Sequence, residues 1–304
     1  MYDGSKFGEV EVVKIFTVAE IDAYLAAASG GCSDDNPIPL PIAANLANDW
    51  TNILGKTASA GRYVKPDLSA CTMSGTEYDP GTANMGKSKI VSLVLPNTAK
   101  SIKPGGEMSS FESSFKDFTA LTSISSSAVE TVGSFAFFGR DTLTTVDFQK
   151  AMSIGENAFS SCDALTTVNL PVVTSIGNFA FVNCDALTTV NLPKAQTLGE
   201  RVLSGCDALT MASLPEATSI HNHSFSGCTA LTTVNFPEAT SFGDFVFGNT
   251  GGIALTVILG SAVPTLGKNT FNEVTTAKPA TVKVPSGATG YESSACRHHH
   301  CLLG

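Results

Sequence analysis

The chain has 304 residues, of which 15% are charged and 43% hydrophobic, and its formal net charge at pH 7 is −9. An acidic balance of this kind lacks the clustered Lys and Arg of a nucleic-acid footprint. No apolar run approaches the roughly 18 residues that mark a membrane-spanning helix.

The opening residues, Met1-Tyr2-Asp3-Gly4-Ser5-Lys6, lack the basic and apolar regions of a signal peptide. That leaves two expectations: a cytoplasmic chain, or an exported one whose leader is not part of this sequence. Val10 to Phe16 reads as a strand. Thr17 and Glu20 have the spacing of a capping box, and Ile21, Tyr24, Leu25 and Ala28 continue at helical spacing up to a stop at Gly30-Gly31. Pro37-Ile38-Pro39-Leu40-Pro41 suits neither a helix interior nor a central strand and is expected to be an extended connector. A second helix, about Asn48 to Ala60, is anchored by Trp50, Ile53 and Leu54 and closed by Gly61. Tyr63 to Ser69 reads as another strand. Residues 1–88 thus alternate strand and helix without repeating, and they are expected to form a small α/β cap over the raw end of a repeat array.

From residue 89 the chain becomes periodic. Ile90-Val91-Ser92-Leu93-Val94-Leu95-Pro96 matches Leu165-Thr166-Thr167-Val168-Asn169-Leu170-Pro171 position for position. Cys162, Cys184, Cys206 and Cys228 are 22 residues apart, and so are Leu165, Leu187, Leu209 and Leu231. Phe115, Phe137, Phe159, Phe181, Leu203, Phe225 and Phe247 keep the same step. The first spacer is longer, so a loop near Pro104 to Ser110 is expected to protrude. After Phe247 the spacing slips by two residues, placing Leu266-Gly267 and Phe271 in their columns. Thr281 to Pro285 reads as a closing strand, and residues 286–304 fit no column and read as a loose tail.

A fixed period of this length marks a solenoid, whose units bury their apolar faces only against one another. Within one unit Val168 and Leu170 are expected inward and Thr167 and Asn169 outward, with Pro171 ending the strand. Gly155, Gly177, Gly199 and Gly243 are expected to occupy turns of positive φ. The Phe column should fill the back of each coil.

The pattern Leu-x-x-Val-x-Leu-Pro-x-x-x-x-x-Ile-Gly-x-x-Ala-Phe-x-x-Cys, repeated through residues 90–285, resembles the BspA-like, or Treponema pallidum-type, leucine-rich repeat. Tyr63 to Met73, with Asp67-Leu68-Ser69-Ala70-Cys71, also resembles the segment that precedes such arrays. The resemblance implies a right-handed leucine-rich-repeat coil over residues 89–285, with a parallel β-sheet on its concave face. It further implies a secreted or surface-exposed bacterial protein that adheres to host matrix proteins or other bacteria. It brings no enzymatic activity, no cofactor and no catalytic residues.

Several local patterns compete for attention. Gly81 to Ser88 is a literal match to G-x-x-x-x-G-K-[ST], but a repeat strand rather than a helix follows, so it reads as a turn. The cysteine column would place thiols about 4.8 Å apart with parallel side chains, which suits a small apolar core residue better than disulfides or metal. Cys296, His298, His299, His300 and Cys301 are ligand-type residues with no scaffold to hold them. His221 and His223 read as turn substitutions, and Asn222-His223-Ser224 fits a glycosylation sequon. The remaining candidate is the outward face of the sheet: Thr145, Asp147, Thr167, Asn169, Thr189, Asn191, Met211, Ser213, Thr233 and Asn235. This nearly uncharged ladder of hydroxyls and amides, broken by Met211, is expected to bind a protein or glycan partner. The competing expectation is a structural spacer whose Thr and Asn merely keep the sheet soluble.

Overall fold

The computed structural model describes residues 14–82, 85–106, 109–110, 112–250, 255–271, 280–286 and 301–303. Alternation of apolar and polar residues gives each coil one short front strand. These strands lie in two parallel six-stranded sets. The first runs Ile38–Pro41, Val64–Asp67, Ser92–Val94, Ser123–Ser126, Thr145–Phe148 and Thr167–Asn169. The second runs Thr189–Asn191, Met211–Ser213, Thr233–Phe236, Thr256–Leu259, Ala280–Lys283 and Cys301–Leu303. Register follows the repeat: Thr145 pairs with Thr167 and Asp147 with Asn169, while Thr189, Met211 and Thr233 align in succession. A second sheet of two-residue strands, such as Ser153–Ile154 between Thr131–Val132 and Ser175–Ile176, runs through the other side of the coils. The result is a right-handed leucine-rich-repeat solenoid with its front sheet on the concave face.

The core is columnar. Leu165, Leu187, Leu209 and Leu231 are fully buried, one per coil. The Phe column forms a stack of rings: Phe115 to Phe137 at 4.4 Å, Phe137 to Phe159 at 5.1 Å and Phe159 to Phe181 at 5.3 Å between centroids. Leu203 interrupts it, and it resumes from Phe225 through Phe247 to Phe271 at 5.8 and 5.2 Å. At the other end Tyr78 and then Trp50 extend the series at 6.2 and 6.4 Å. Offset or edge-on rings at these separations add about 0.5–1.5 kcal/mol per pair beyond the area they bury.

The N-terminal elements join the same architecture. Thr17 and Glu20 form the expected capping box at Val18–Glu20, which leads into α1 (Ile21–Ala27). The hydrogen bonds from Thr17 hold the Glu20 carboxyl down at about 2. Helix α2 (Leu46–Ala60) is capped by Asn45, whose side chain accepts from Ala47 N, and it ends on Gly61 at φ 62°. Trp50, Ile53 and Leu54 are buried, as its spacing predicts. Ile38–Pro41 is not a connector but the edge strand of the front sheet, paired with Val64–Asp67. An edge is where proline is tolerated, because one side of the strand needs no ladder donors. Of the strand expected at Val10 to Phe16, the described part contributes one bridge, Phe16 to Ile42.

Three further expectations change. Gly155, Gly177, Gly199 and Gly243 do not adopt positive φ; the left-handed positions come two residues later, at Asn157, Phe179, Arg201 and Phe245, with φ of 52–58°. The glycines are needed because successive backbones meet there: a Cβ on Gly155 would lie 2.4 Å from Ser134 N, and one on Gly177 would lie 2.6 Å from Glu156 N. The strained turns are held by bonds to the next coil, Phe179 N to Glu200 O at 2.9 Å and Arg201 N to Asn222 O at 3.0 Å. At the long first spacer, Gly105 N and Gly106 N donate to Ser134 O and Glu112 O, so these two residues lie against the stack rather than protruding; residues 107, 108 and 111 lie outside the described residues. Finally, Cys301–Leu303 adds a parallel strand beyond Ala280–Lys283 where a loose tail was expected.

Removing a ring from the middle of the stack should be expensive. Phe159→Ala is expected to cost about 3–5 kcal/mol and Leu187→Ala about 2–5 kcal/mol in denaturant melts, whereas Thr189→Ala should cost under about 1 kcal/mol. Equal losses at Leu187 and Thr189 would contradict the assignment of inner and outer strand faces.

Candidate binding face

The front strands bring the ten outward candidates into two adjacent columns, and strand pairing fixes their order within each of the two sets. Thr167, Asn169, Thr189, Asn191 and Met211 are exposed, Met211 at 48%. Thr145, Asp147, Ser213, Thr233 and Asn235 are half-buried. Asn169 donates to Asp147 Oδ1 at 2.9 Å, Gln149 donates to the same oxygen, and Asn235 donates to Ser213 Oγ at 3.3 Å. Among the described residues the side chains of Thr189, Asn191 and Thr233 make no hydrogen bond, and of these Thr189 and Asn191 are exposed, so the accessible free capacity of the ladder is concentrated there. The inward residues behind it are buried: Val146, Val190, Ala212 and Val234 are at most 5% exposed. Val168 is the exception, being only half-buried.

The cysteine column does more than fill space. Cys162 Sγ donates to Phe137 O and Cys184 Sγ to Phe159 O, each at 3.2 Å. Cys206 Sγ and Cys228 Sγ repeat this with Phe181 O and Leu203 O, each at 3.1 Å. Each thiol therefore reaches the carbonyl 25 residues back, in the preceding coil; Phe137 O and Leu203 O also accept from Arg140 N and Cys206 N, at 3.2 and 3.4 Å, whereas Phe159 O and Phe181 O have the thiol as their donor. Arg140 sits in the same column one coil earlier and serves Phe115 O at 3.2 Å and Lys116 O at 2.6 Å. Thr250, one coil beyond Cys228, donates instead to Phe247 O at 3.2 Å. A donor at this position was not anticipated from the sequence; the alignment of Arg, Cys and Thr in one column is the signal that carried it. Burial pushes the Cys162 thiol up to about 12 and also raises Cys184 and Cys228.

The other patterns resolve as structure. In the G-x-x-x-x-G-K-[ST] match, Ala83 and Asn84 lie outside the described residues. Lys87 is fully buried; its Nζ donates to Gly81 O at 2.7 Å, lies 3.5 Å from Asp117 Oδ2 and sits 5.5 Å from the Phe118 ring centroid. Burial lowers its pKa against the opposing pull of Asp117. Gly86, at φ 78°, leaves room for the Leu54 carbonyl, from which a Cβ would be 2.1 Å away. The lysine thus pins the N-terminal region to the first coils. In the sequon, Asn222 Nδ2 donates to Glu200 and its Oδ1 accepts from Asp244 N at 2.9 Å, while Ser224 Oγ is buried against His221 O. His223 stacks on Phe245 at 5.3 Å. Among the described residues no three His, Cys, Asp or Glu side chains are placed to hold a metal ion. Cys296, His298, His299 and His300 lie outside the described residues, as does the side chain of Cys301.

Beside the thiols, Asp163, Asp185 and Asp207 recur at the repeat step. Burial, then repulsion from Asp163 and Asp207, raises the Asp185 pKa. A carboxyl raised in the folded state stabilises the fold below its unfolded value, near 3.9, and that stability is lost as pH rises through the folded value. Asp185→Asn is therefore expected to raise the melting temperature at pH 7, by less in high salt, and to have no effect near pH 3. Melts at the two pH values check it, and a loss of stability at pH 7 would contradict it. Thiol labelling tests the donor column: Cys162, Cys184, Cys206 and Cys228 should resist alkylation in the native protein while the exposed Cys32 reacts.

The profile of the BspA type leucine-rich repeat region in six copies matches residues 83–210, 152–278 and 196–301. Among solved structures, a leucine-rich repeat protein of T. pallidum is 26% identical, covering 50% of this chain and 76% of its own, with a TM-score of 0.44. A leucine-rich cell surface protein from Faecalibacterium prausnitzii is 22% identical, with 48% and 57% covered and a TM-score of 0.36. The pneumococcal vaccine antigen PcpA is 12% identical, with 88% and 66% covered and a TM-score of 0.38. The chain spans little more than half the length of the Faecalibacterium protein. Among curated protein sequences nothing matches. Among the described residues no helix is long and apolar enough to cross a membrane. With the profile running through most of its length, the chain belongs to the BspA-type leucine-rich repeat family, whose members are generally non-enzymatic surface or binding proteins.

Proposed function

We propose that this protein is a non-catalytic binding protein of a bacterial surface, and that its concave face takes a protein or glycan partner. The observation that supports this most is the exposed run Thr167, Asn169, Thr189, Asn191 and Met211. Val190 and Ala212, buried behind Thr189, Asn191 and Met211, hold that part of the run in order, so a partner meets a surface that loses little entropy on binding. Thr145, Asp147, Ser213, Thr233 and Asn235 extend the same surface as its rim. Residues 1–88 serve as the cap that keeps the first coils closed. In this reading residues 89–285 form the binding array, and attachment to host matrix or to another bacterial surface is the activity. The ladder carries one carboxylate, Asp147, and no cation. Hydrogen bonds and shape therefore provide the attraction, with weak salt dependence. Met211 supplies a flexible apolar side chain for a partner's pocket.

A spacer with no specific ligand is the second reading. The side-chain bonds Asp147–Asn169 and Ser213–Asn235 favour it, since they satisfy the ladder from within.

A screen of the intact chain against matrix proteins, bacterial cells and glycans separates the two readings. For a partner so found, replacing Met211 and Asn191 together by Lys should weaken binding by about 30-fold or more with little change in melting temperature. Unchanged affinity in that double variant would remove the concave face as the site. Silence across the whole screen would favour the spacer.

A further inference from the structure

The front sheet is not continuous. Thr145–Phe148 pairs with Thr167–Asn169, and Thr189–Asn191 pairs with Met211–Ser213, but Thr167–Asn169 and Thr189–Asn191 form no ladder with each other. Their backbones also approach one another less closely than those of every other neighbouring pair in the front sheet. In the intact coils Thr166 N and Thr167 N reach Thr144 O, each at 3.0 Å, and Leu192 N reaches Ser213 O, also at 3.0 Å. The equivalents across the opening, from Thr188 and Thr189 N to Thr166 O and from Leu170 N to Asn191 O, are not made. Exposure agrees: Val168 is half-buried where Val146 and Val234 are at 0%, and Thr167, Asn169, Thr189 and Asn191 are exposed where their counterparts Thr145, Asp147, Thr233 and Asn235 are half-buried.

The opening is local. Ala186 N still bonds Asp163 O at 3.0 Å on one side of it, and Gln196 N bonds Thr174 O at 2.9 Å on the other. Behind it Gly199 N bonds Ile176 O and Phe181 N bonds Val202 O, at 2.8 and 2.9 Å, so the coils on either side stay joined. Two strand edges therefore face one another on the concave surface. One offers Thr166 C=O, Val168 N–H and C=O, and Leu170 N–H. The other offers the N–H and C=O of Thr189 and Asn191. Alternating donors and acceptors on both edges form the pattern that an extended polypeptide backbone satisfies.

We infer that this opening is where the concave face engages its partner, and that the partner is a polypeptide presenting a short extended segment. The inference rests on the concave-face reading and narrows its partner to protein. Because the opening is clamped at both ends, the segment is a chain terminus or a loop apex, a few residues long, entering and leaving on the concave side. Its backbone pairs with the two edges, while Asn169 and Asn191 flank it with amide donors and acceptors. With no cation and no carboxylate among Thr166–Leu170 and Thr188–Leu192, the segment's recognised stretch is uncharged.

Hydrogen exchange of the intact chain tests this in two steps. Without ligand, the amides of Thr188, Thr189 and Leu170 should exchange at least about tenfold faster than those of Thr210, Thr233 and Leu192, their counterparts in closed coils. The probe is then acetyl-Lys-Thr-Val-Thr-Val-Thr-Lys-amide at millimolar concentration, compared with the same peptide N-methylated at its three Thr residues and with chitohexaose. The account expects the first peptide to slow the fast amides and the other two to leave them unchanged. Equally slow exchange in all coils without ligand would overturn it, since the opening would then be closed in solution. No protection by the first peptide, or equal protection by the methylated peptide or the oligosaccharide, would also overturn it. These outcomes are separate from the Met211 and Asn191 double variant: loss of partner binding there, with no peptide protection here, would leave the concave face as the site and remove the opening.

Discussion

The hydrogen bond from one coil to the next is the interaction on which the rest depends. A turn of 22 residues cannot satisfy its own backbone, so its donors and acceptors must find partners one coil away, at the strand spacing of about 4.8 Å. That distance dictates which side chains the columns tolerate. Where two backbones touch, at Gly155 and Gly177, no Cβ fits. Where a carbonyl would be stranded, at Phe159 and Phe181, a thiol from the next coil reaches it. Where a void remains behind the strands, phenylalanine rings fill it and stack because the coils are in register. The left-handed turns at Phe179 and Arg201 fit the same logic, since their strain is offset by bonds to the following coil.

Much of this was legible in the sequence because periodicity reports which side chains are equivalent. Leu165, Leu187, Leu209 and Leu231 announce the core, and the two-residue slip after Phe247 still leads to the stack at Phe271. Periodicity does not report backbone separation. Thr167-Val168-Asn169 and Thr189-Val190-Asn191 are identical in sequence, yet the sheet opens between them, so no pattern of residue types could have located the opening. For the same reason the glycine column was assigned to turn geometry, when close approach of two chains selects it. The edge strand Ile38–Pro41 was missed because its prolines describe what a strand cannot do in the middle of a sheet, and this strand is at the side.

The candidate site was legible only as a face. Outward positions follow from alternation, but internal hydrogen bonds divide that face unevenly. Asp147 and Asn169 are engaged with one another, whereas Thr189 and Asn191 are free among the described residues. A surface assembled this way combines stiffness with a local supply of unused polar groups. The core sets the position of every outward residue, and the sheet leaves the backbone accessible at one place. This combination is the physical basis for reading the solenoid as a binding scaffold rather than only as a spacer.

The 22-residue coil is an interchangeable module whose stability comes from its neighbours. Deleting Cys184 to Gly205 removes one full period and joins Asn183 to Cys206. It restores every column, and it removes Leu203, the break in the stack of rings, so that Phe181 would face Phe225. Deleting 11 residues from the same point, Cys184 to Lys194, shifts every later column to the wrong place. Thermal melts of the two deletions make the comparison direct. The account predicts a cooperative transition within a few degrees of the parent for the full-period deletion and no cooperative fold for the half-period one. Comparable damage from both would show that the coils are not equivalent units and that the stability of the array resides elsewhere.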